Sequence, residues 1–167
     1  MQIFFVYYSR AKRILHLCVE SSKVKASDNE GNEFMRKHVK GNVSWVGYLD
    51  WELETFHGDD YSIFHGSSQN AYLIEEEKTI LVDTVWTPHH YDFIQNLKSE
   101  IDLKKIDAII VNHGEADHSG ALPALLAEIP GTPIYCTAMA VKSLEGQYGK
   151  QGWNFHVVKT GDALDIG

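Results

Sequence analysis

A chain of 167 residues with 44% apolar content is long enough for one ordinary domain, or for part of a larger one. Its 15 basic against 23 acidic side chains leave a formal charge of -8, which gives no electrostatic reason to expect nucleic acid or an anionic membrane as a partner. Cys18 and Cys136 lie far apart and form no CxxC pair, so neither a disulfide framework nor a zinc ribbon is indicated, and a reducing cytoplasmic setting is expected.

The opening IFFVYY run is too short to span a bilayer. Arg10, Lys12 and Arg13 follow it instead of preceding it, unlike a secretory signal, so neither export nor an anchor is expected. Residues 1–19 read as a strand followed by a helix, but the connecting YSRAKR has no glycine to let backbone amides approach a phosphate. From Glu20 to Lys40 the chain is polar and shows no sustained period of two or 3.6, so residues 1–40 are expected to be an atypical N-terminal tail or linker and residues 41–167 the domain.

From Gly41 the pattern becomes regular. NVSWVGYL and NAYLI alternate like half-buried strands, EEEK is a turn, and TILVDTV is apolar enough for a central strand. Thr87 and Pro88 supply a helix start, after which Phe93, Ile94, Leu97 and Ile101 recur at helical spacing. IDAIIV reads as a short buried strand, and VNHGEADHSG follows it directly. Ser119 is expected to cap a helix carrying Leu122, Leu125, Leu126 and Ile129 on one face, with Pro123 in its first turn. PIYCT is a further strand, AMAVKSLEGQY a helix, and WNFHVVKTGDALDIG a strand and turn leading into a last strand. The order is a β-hairpin followed by β-α-β-α-β, an α/β chain that places HGEADH at the carboxyl end of a buried strand, where ligand sites of α/β sheets lie.

Within that loop His113, Glu115, Asp117 and His118 put four candidate metal ligands into six positions. An HxExDH pattern arises in roughly two of a thousand shuffled sequences of this composition, so chance is a weak explanation. In extended chain His113, Glu115 and Asp117 point to one side, and a turn at Asp117 and His118 redirects the last donor, so the loop can serve two neighbouring cations with one pair each. Two divalent ions about 3.5 to 4 Å apart repel by roughly 19 kcal/mol at an effective dielectric of about 20, so anionic ligands are required. Glu115 and Asp117 supply two of the charges. Imidazole with carboxylate suits iron, manganese or zinc, and the absence of thiolates argues against an iron–sulfur site.

HGEADH resembles the ligand motif of the metallo-β-lactamase superfamily, whose hydrolases usually carry HxHxDH, and Glu at the third position is the pattern of its flavodiiron proteins. The likeness runs from about Gly41 to Gly167 through WVGYLDWELETFHG, HGSSQNAYLI, ILVDTV, VNHGEADHSGALPALL and WNFHVVKTGDALDIG, and is similar to the flavorubredoxin-type nitric oxide reductases of that family. It implies the N-terminal half of a metallo-β-lactamase-like αββα sandwich, with His113 and Glu115 binding one iron and Asp117 and His118 the other. It further implies that the complete enzyme reduces O2 to water or NO to N2O with electrons from FMN, draws them from a redox partner such as rubredoxin, and is a homo-oligomer.

The family completes its di-iron centre with two further histidines and a bridging aspartate beyond the position of Gly167, then adds an FMN domain and in some members a rubredoxin domain. The centre is therefore expected to be incomplete here, and a zinc or manganese hydrolase of the same superfamily or a non-catalytic remnant are the alternatives. His156, Asp162 and Asp165 are not expected to substitute for the missing ligands. By the resemblance, His57 lies beside the di-iron pocket, and Asp83 supports the ligand loop by hydrogen bonding, a turn that Asn112 also stabilises. His65, His89 and His90 are expected to be solvated, and Trp45, Trp51, Trp86 and Trp153 to be packing residues. The family fold covers the second face of this sheet largely with residues outside the chain, so TILVDTV and IDAIIV are expected to leave apolar side chains exposed.

Overall fold

The computed structural model describes residues 2–4, 36–56 and 61–167. The described chain runs β1 (Gln2–Phe4), β2 (Lys37–Lys40), β3 (Val43–Trp45), β4 (Tyr48–Asp50), β5 (Thr55–Phe56), β6 (Tyr61–Ser62), β7 (Ser67–Gln69), β8 (Tyr72–Glu75), β9 (Thr79–Val82), α1 (His90–Glu100), β10 (Ile106–Ile110), α2 (Ala116–Ser119), α3 (Leu122–Glu128), β11 (Ile134–Cys136), α4 (Ala138–Tyr148), β12 (Phe155–Val157) and β13 (Ala163–Asp165). Seven strands form one mixed sheet in the order β12-β11-β10-β9-β8-β3-β2. β9 to β12 pair in parallel, and β8, β3 and β2 extend the sheet antiparallel.

The parallel half follows from its connections. Each of β9, β10 and β11 is followed by helix and returns beside its predecessor, a βαβ arrangement in which the helices must cover a face. They do so on one side: Phe93, Ile94 and Leu97 of α1, Leu122, Leu125 and Leu126 of α3, and Ala140 and Leu144 of α4 bury against Leu73, Leu81, Ile109 and Ile134 of the strands. Alternation sends the neighbouring residues Ile80, Ala108 and Ile110 to the opposite face, where they form a second core with Ile166. That face is less open than expected, since Ile80 and Ile110 are buried. The segment ending at Ile166 lies over them, held where Lys78 N–H donates to Ile166 O at 3.0 Å and Lys78 Nζ to Asp165 O at 2.9 Å.

Four local expectations need correction. The tail expected over residues 1–40 ends earlier, because Lys37–Lys40 is a strand, paired antiparallel with β3 on the outer edge of the sheet. Gln2–Phe4 also pairs, with β13, while residues 5–35, including the helix read from the first nineteen residues, lie outside the described ones. NVSWVGYL is two strands in two sheets, β3 and β4, and the chain crosses between them at Gly47, where a Cβ would stand 1.9 Å from Gln69 O. Ser119 is not the cap of α3: it lies inside α2 and its hydroxyl donates to Glu115 O at 2.8 Å, while α3 starts at Leu122 with Ala121 as its N-cap and no side-chain cap. Trp51 and Trp86 are exposed, whereas Trp153 packs at the core margin and Trp45 is half-buried with its Nε1 donating to Asn70.

Candidate metal centre

The site is built where β9 and β10 end. Asp83, one residue past β9, adopts φ 57°, a left-handed conformation that an aspartate tolerates better than most side chains. Its backbone N–H donates to Ile110 O at 2.8 Å, and its buried carboxylate turns towards the loop after β10. There it accepts from Asn112 N–H at 2.7 Å and Asn112 Nδ2 at 3.2 Å, and lies 3.3 Å from His118 Nδ1. Asp83 thus holds both ends of the HGEADH segment, the supporting role expected of it, and Asn112 is its partner at the turn. Thr84 adds a second tie, its N–H and Oγ1 donating to His118 O at 2.8 and 3.0 Å.

The four candidate ligands meet as two pairs. His113 Nε2 stands 3.1 Å from Glu115 Oε1, and His118 Nε2 stands 3.2 Å from Asp117 Oδ2. The His113 and His118 rings are neighbours, centroids 5.5 Å apart at 62°. Donors bound at about 2.0 to 2.2 Å to one cation are themselves separated by roughly 3 to 3.5 Å, so each pair has the spacing of two ligands on one ion. Among the described residues no group of three or more His, Cys, Asp or Glu side chains is placed to hold a metal ion, so the candidate ligands meet only in twos.

Charge is arranged accordingly. The Asp117 carboxyl is held below its ordinary value by the hydrogen bond from His118, against the opposing effect of burial. For His118 burial disfavours the imidazolium, but the hydrogen bonds and charges of Asp117 and Asp83 outweigh it and push the pKa from 6.5 up to about 10. A raised folded-state pKa means that the stabilisation is fully present below the unfolded value and is lost as pH rises through the folded one. The metal-free chain is therefore expected to lose stability progressively between about pH 7 and 9, where the folded form holds one proton more at His118 than the unfolded form. Urea midpoints across that window test this, and His118→Gln should flatten the dependence; a slope unchanged by that substitution would place the proton elsewhere.

The ligand helix α2 packs tightly on the preceding turn. A Cβ at Gly120 would stand 2.2 Å from Thr87 N and 2.7 Å from Trp86 C, both backbone atoms. Gly120→Ala is expected to cost about 3 kcal/mol by forcing these segments apart, and thermal unfolding should register it. A similar fit holds at Gly114, whose Cβ would meet Ser143 Cβ at 2.9 Å and Ala140 Cα at 3.2 Å.

The other histidines divide. His57 lies outside the described residues. His65 is exposed, and His90, half-buried, has Nδ1 2.6 Å from Thr87 O. His89 is not solvated as expected: its Nε2 lies 2.8 Å from the buried Asp50 Oδ2, and its ring stacks on Tyr48 with centroids 4.0 Å apart. With the Trp86 N–H donating to Gln69 Oε1 at 2.6 Å, this fastens the β4–β7 ribbon to the turn at Thr87–His89. His156 stacks on Tyr135 with centroids 4.9 Å apart, Asp162 accepts from Lys159 N–H and Asp165 from Gly167 N–H. Sequence reading missed the contacts of α4: Ser143 Oγ donates to Gly114 O at 2.8 Å, Gln147 Nε2 donates to the same oxygen, and Tyr148 Oη pairs with Ser119 Oγ at 3.1 Å. The available signal was a polar i, i+4, i+5 set on a helix otherwise packed on the sheet.

The sequence profile of the metallo-beta-lactamase superfamily matches residues 66–164, more than half of the chain. The chain belongs to the metallo-β-lactamase superfamily. Within this superfamily it is similar to the anaerobic nitric oxide reductase flavorubredoxin of Aliivibrio fischeri, 56% identical over 133 residues, which are 80% of this chain and 27% of that protein. The corresponding Citrobacter koseri protein is 58% identical over 129 residues, 77% of this chain and 27% of its own length. This chain thus spans about a quarter of the length of these curated relatives.

Solved structures agree. The flavodiiron protein of Giardia intestinalis superposes with a TM-score of 0.74 at 28% identity, covering 83% of this chain and 33% of that one. The rubredoxin oxygen:oxidoreductase of Desulfovibrio gigas superposes at 0.70 with 34% identity, covering 80% and 33%. The likeness to flavodiiron proteins implied by HGEADH, and the α/β metallo-β-lactamase-like fold, are therefore as expected.

Proposed function

We propose that this chain supplies part of the ligand set of a di-iron centre in an oxidoreductase that reduces NO to N2O, O2 to water, or both. The observation that carries the reading is the pairing of His113 with Glu115 and of His118 with Asp117, each at the donor spacing of one cation. The likeness to proteins named as nitric oxide reductase and as rubredoxin oxygen:oxidoreductase supports the substrate class.

In this reading His113 and Glu115 hold one metal, and Asp117 and His118 the other. Asp83 keeps a proton on His118 Nδ1, so that Nε2 is the donor left for the metal. The two carboxylates offset the repulsion between neighbouring cations. When bound, the pair of irons supplies electrons to NO or O2: two NO with two electrons and two protons give N2O and water. The remaining ligands, the FMN that relays electrons and a rubredoxin-type donor belong to parts of the assembly outside these 167 residues. A cytoplasmic setting and a homo-oligomer complete the reading; no helix among the described residues is long and apolar enough to cross a membrane.

The test is a chimera in which residues 41–167 replace the corresponding segment of the Aliivibrio fischeri relative. Anaerobic NO consumption with iron bound is the expected result. A folded chimera that takes up zinc or manganese, hydrolyses esters or phosphodiesters and leaves NO untouched would favour the hydrolase alternative instead.

A further inference from the structure

The ligand segment is held from two sides. Asp83, at the end of β9, grips Asn112, next to His113, and His118 itself, and so anchors the two ends of the segment. The hydrogen bonds of the Asp83 carboxylate among the described residues go to Asn112 and His118, not to the Glu115 side chain. The Glu115 side chain is exposed and lies beside His113, so its direction depends on the backbone that carries it. The peptide plane entering Glu115 is fixed at Gly114 O, which accepts from both Ser143 Oγ and Gln147 Nε2; Gln147 Nε2 also lies 3.0 Å from Ser143 Oγ, tying the two donors together. The peptide plane leaving Glu115 is held mainly by α2 itself, since Glu115 O accepts from His118 N–H at 3.1 Å, Ser119 N–H at 3.0 Å and Ser119 Oγ, the last paired with Tyr148 Oη. Ser143, Gln147 and Tyr148 are all residues of α4, and Gly114 lets that helix approach closely enough to make the contacts.

We infer that α4, through Ser143 and Gln147 on Gly114 O, is a positioning element for Glu115, so that the affinity of the His113–Glu115 pair depends on this clamp and that of the Asp117–His118 pair does not. Two carbonyls held on either side of one residue leave its Cα–Cβ direction little freedom, and a pre-aimed carboxylate loses less entropy on binding a cation. The inference rests on the metal-pair reading above and adds to it a control point remote from the ligands.

The experiment separates the pairs before perturbing the helix. In the full chain, Asp117→Asn leaves only the His113–Glu115 pair, and Glu115→Gln leaves only the Asp117–His118 pair; each background is titrated with Mn(II), followed by electron paramagnetic resonance. Gln147→Leu, on an exposed helix position, removes one donor to Gly114 O without opening the core, and Ser143→Ala is the independent second variant. Either substitution is expected to weaken Mn(II) binding about tenfold in the Asp117→Asn background and to leave the Glu115→Gln background unchanged, since loss of a group that orients a ligand typically costs about 10- to 100-fold in affinity. Equal loss in both backgrounds would reveal general loosening and overturn the inference, as would no loss in the first. No Mn(II) binding in either background before the helix is touched would instead refute the metal-pair reading itself, and the inference with it.

Discussion

Glu115→His in the chimera described above is expected to lower NO turnover by about a hundredfold or more and to shift the bound metal from iron towards zinc. Glu115 is one of only two anionic donors in the loop, and the substitution restores the HxHxDH pattern of hydrolases. Removing one negative charge weakens the hold on a second cation, and a further imidazole favours a borderline-soft ion. Elemental analysis and NO consumption are measured on the same preparation. Full iron occupancy with undiminished turnover would mean that Glu115 does not select the metal.

Asp83→Ala should be the most damaging single change outside the four candidate ligands, destabilising the metal-free chain by about 2 to 4 kcal/mol. The substitution removes the acceptor of Asn112 N–H and Asn112 Nδ2 and the partner of the half-buried His118 Nδ1, and it places alanine at φ 57°. Asp83→Asn separates the contributions, because asparagine accepts from Asn112 N–H and tolerates the left-handed conformation but carries no charge. It should cost less and lower the pKa of His118 from about 10, which an NMR titration of the imidazole reads directly. If Asp83→Asn left that titration unmoved, the proton on His118 would owe nothing to Asp83.

The parallel core was legible because β9 and β10 are short apolar runs separated by α1, whose buried residues keep a clear 3.6-residue period, and burial enforces both patterns. The edge was not. KHVK of β2 is mostly exposed on the outermost strand, where polar side chains are tolerated and lysine discourages further pairing, so nothing in its composition distinguishes strand from linker. The break at Gly47 escaped notice because alternation continues across it; only the approach of Gln69 O makes the glycine obligatory. His113, Glu115, Asp117 and His118 could be singled out as candidates from residue type and spacing, and the fold brings them together as two pairs. The Asp83 hub was reached through the family resemblance, whereas the clamp on Gly114 O joins a carbonyl to side chains on a later helix, and such a contact leaves no periodic trace. His89 was misread for a related reason: an imidazole in a first helical turn looks solvated until the β4–β7 ribbon brings Asp50 to it.

The most direct measurement is the stoichiometry of metal binding to the 167-residue chain itself. Titration with Mn(II) under anaerobic conditions should reveal two weak sites, lost on extensive dialysis because each pair fills only part of a shell. Glu115→Gln should remove one site, Asp117→Asn the other, and the double variant both. Mn(II) binding that survives the double substitution with unchanged stoichiometry would contradict the account, since the ions would then be held by residues other than the two pairs at the end of β10.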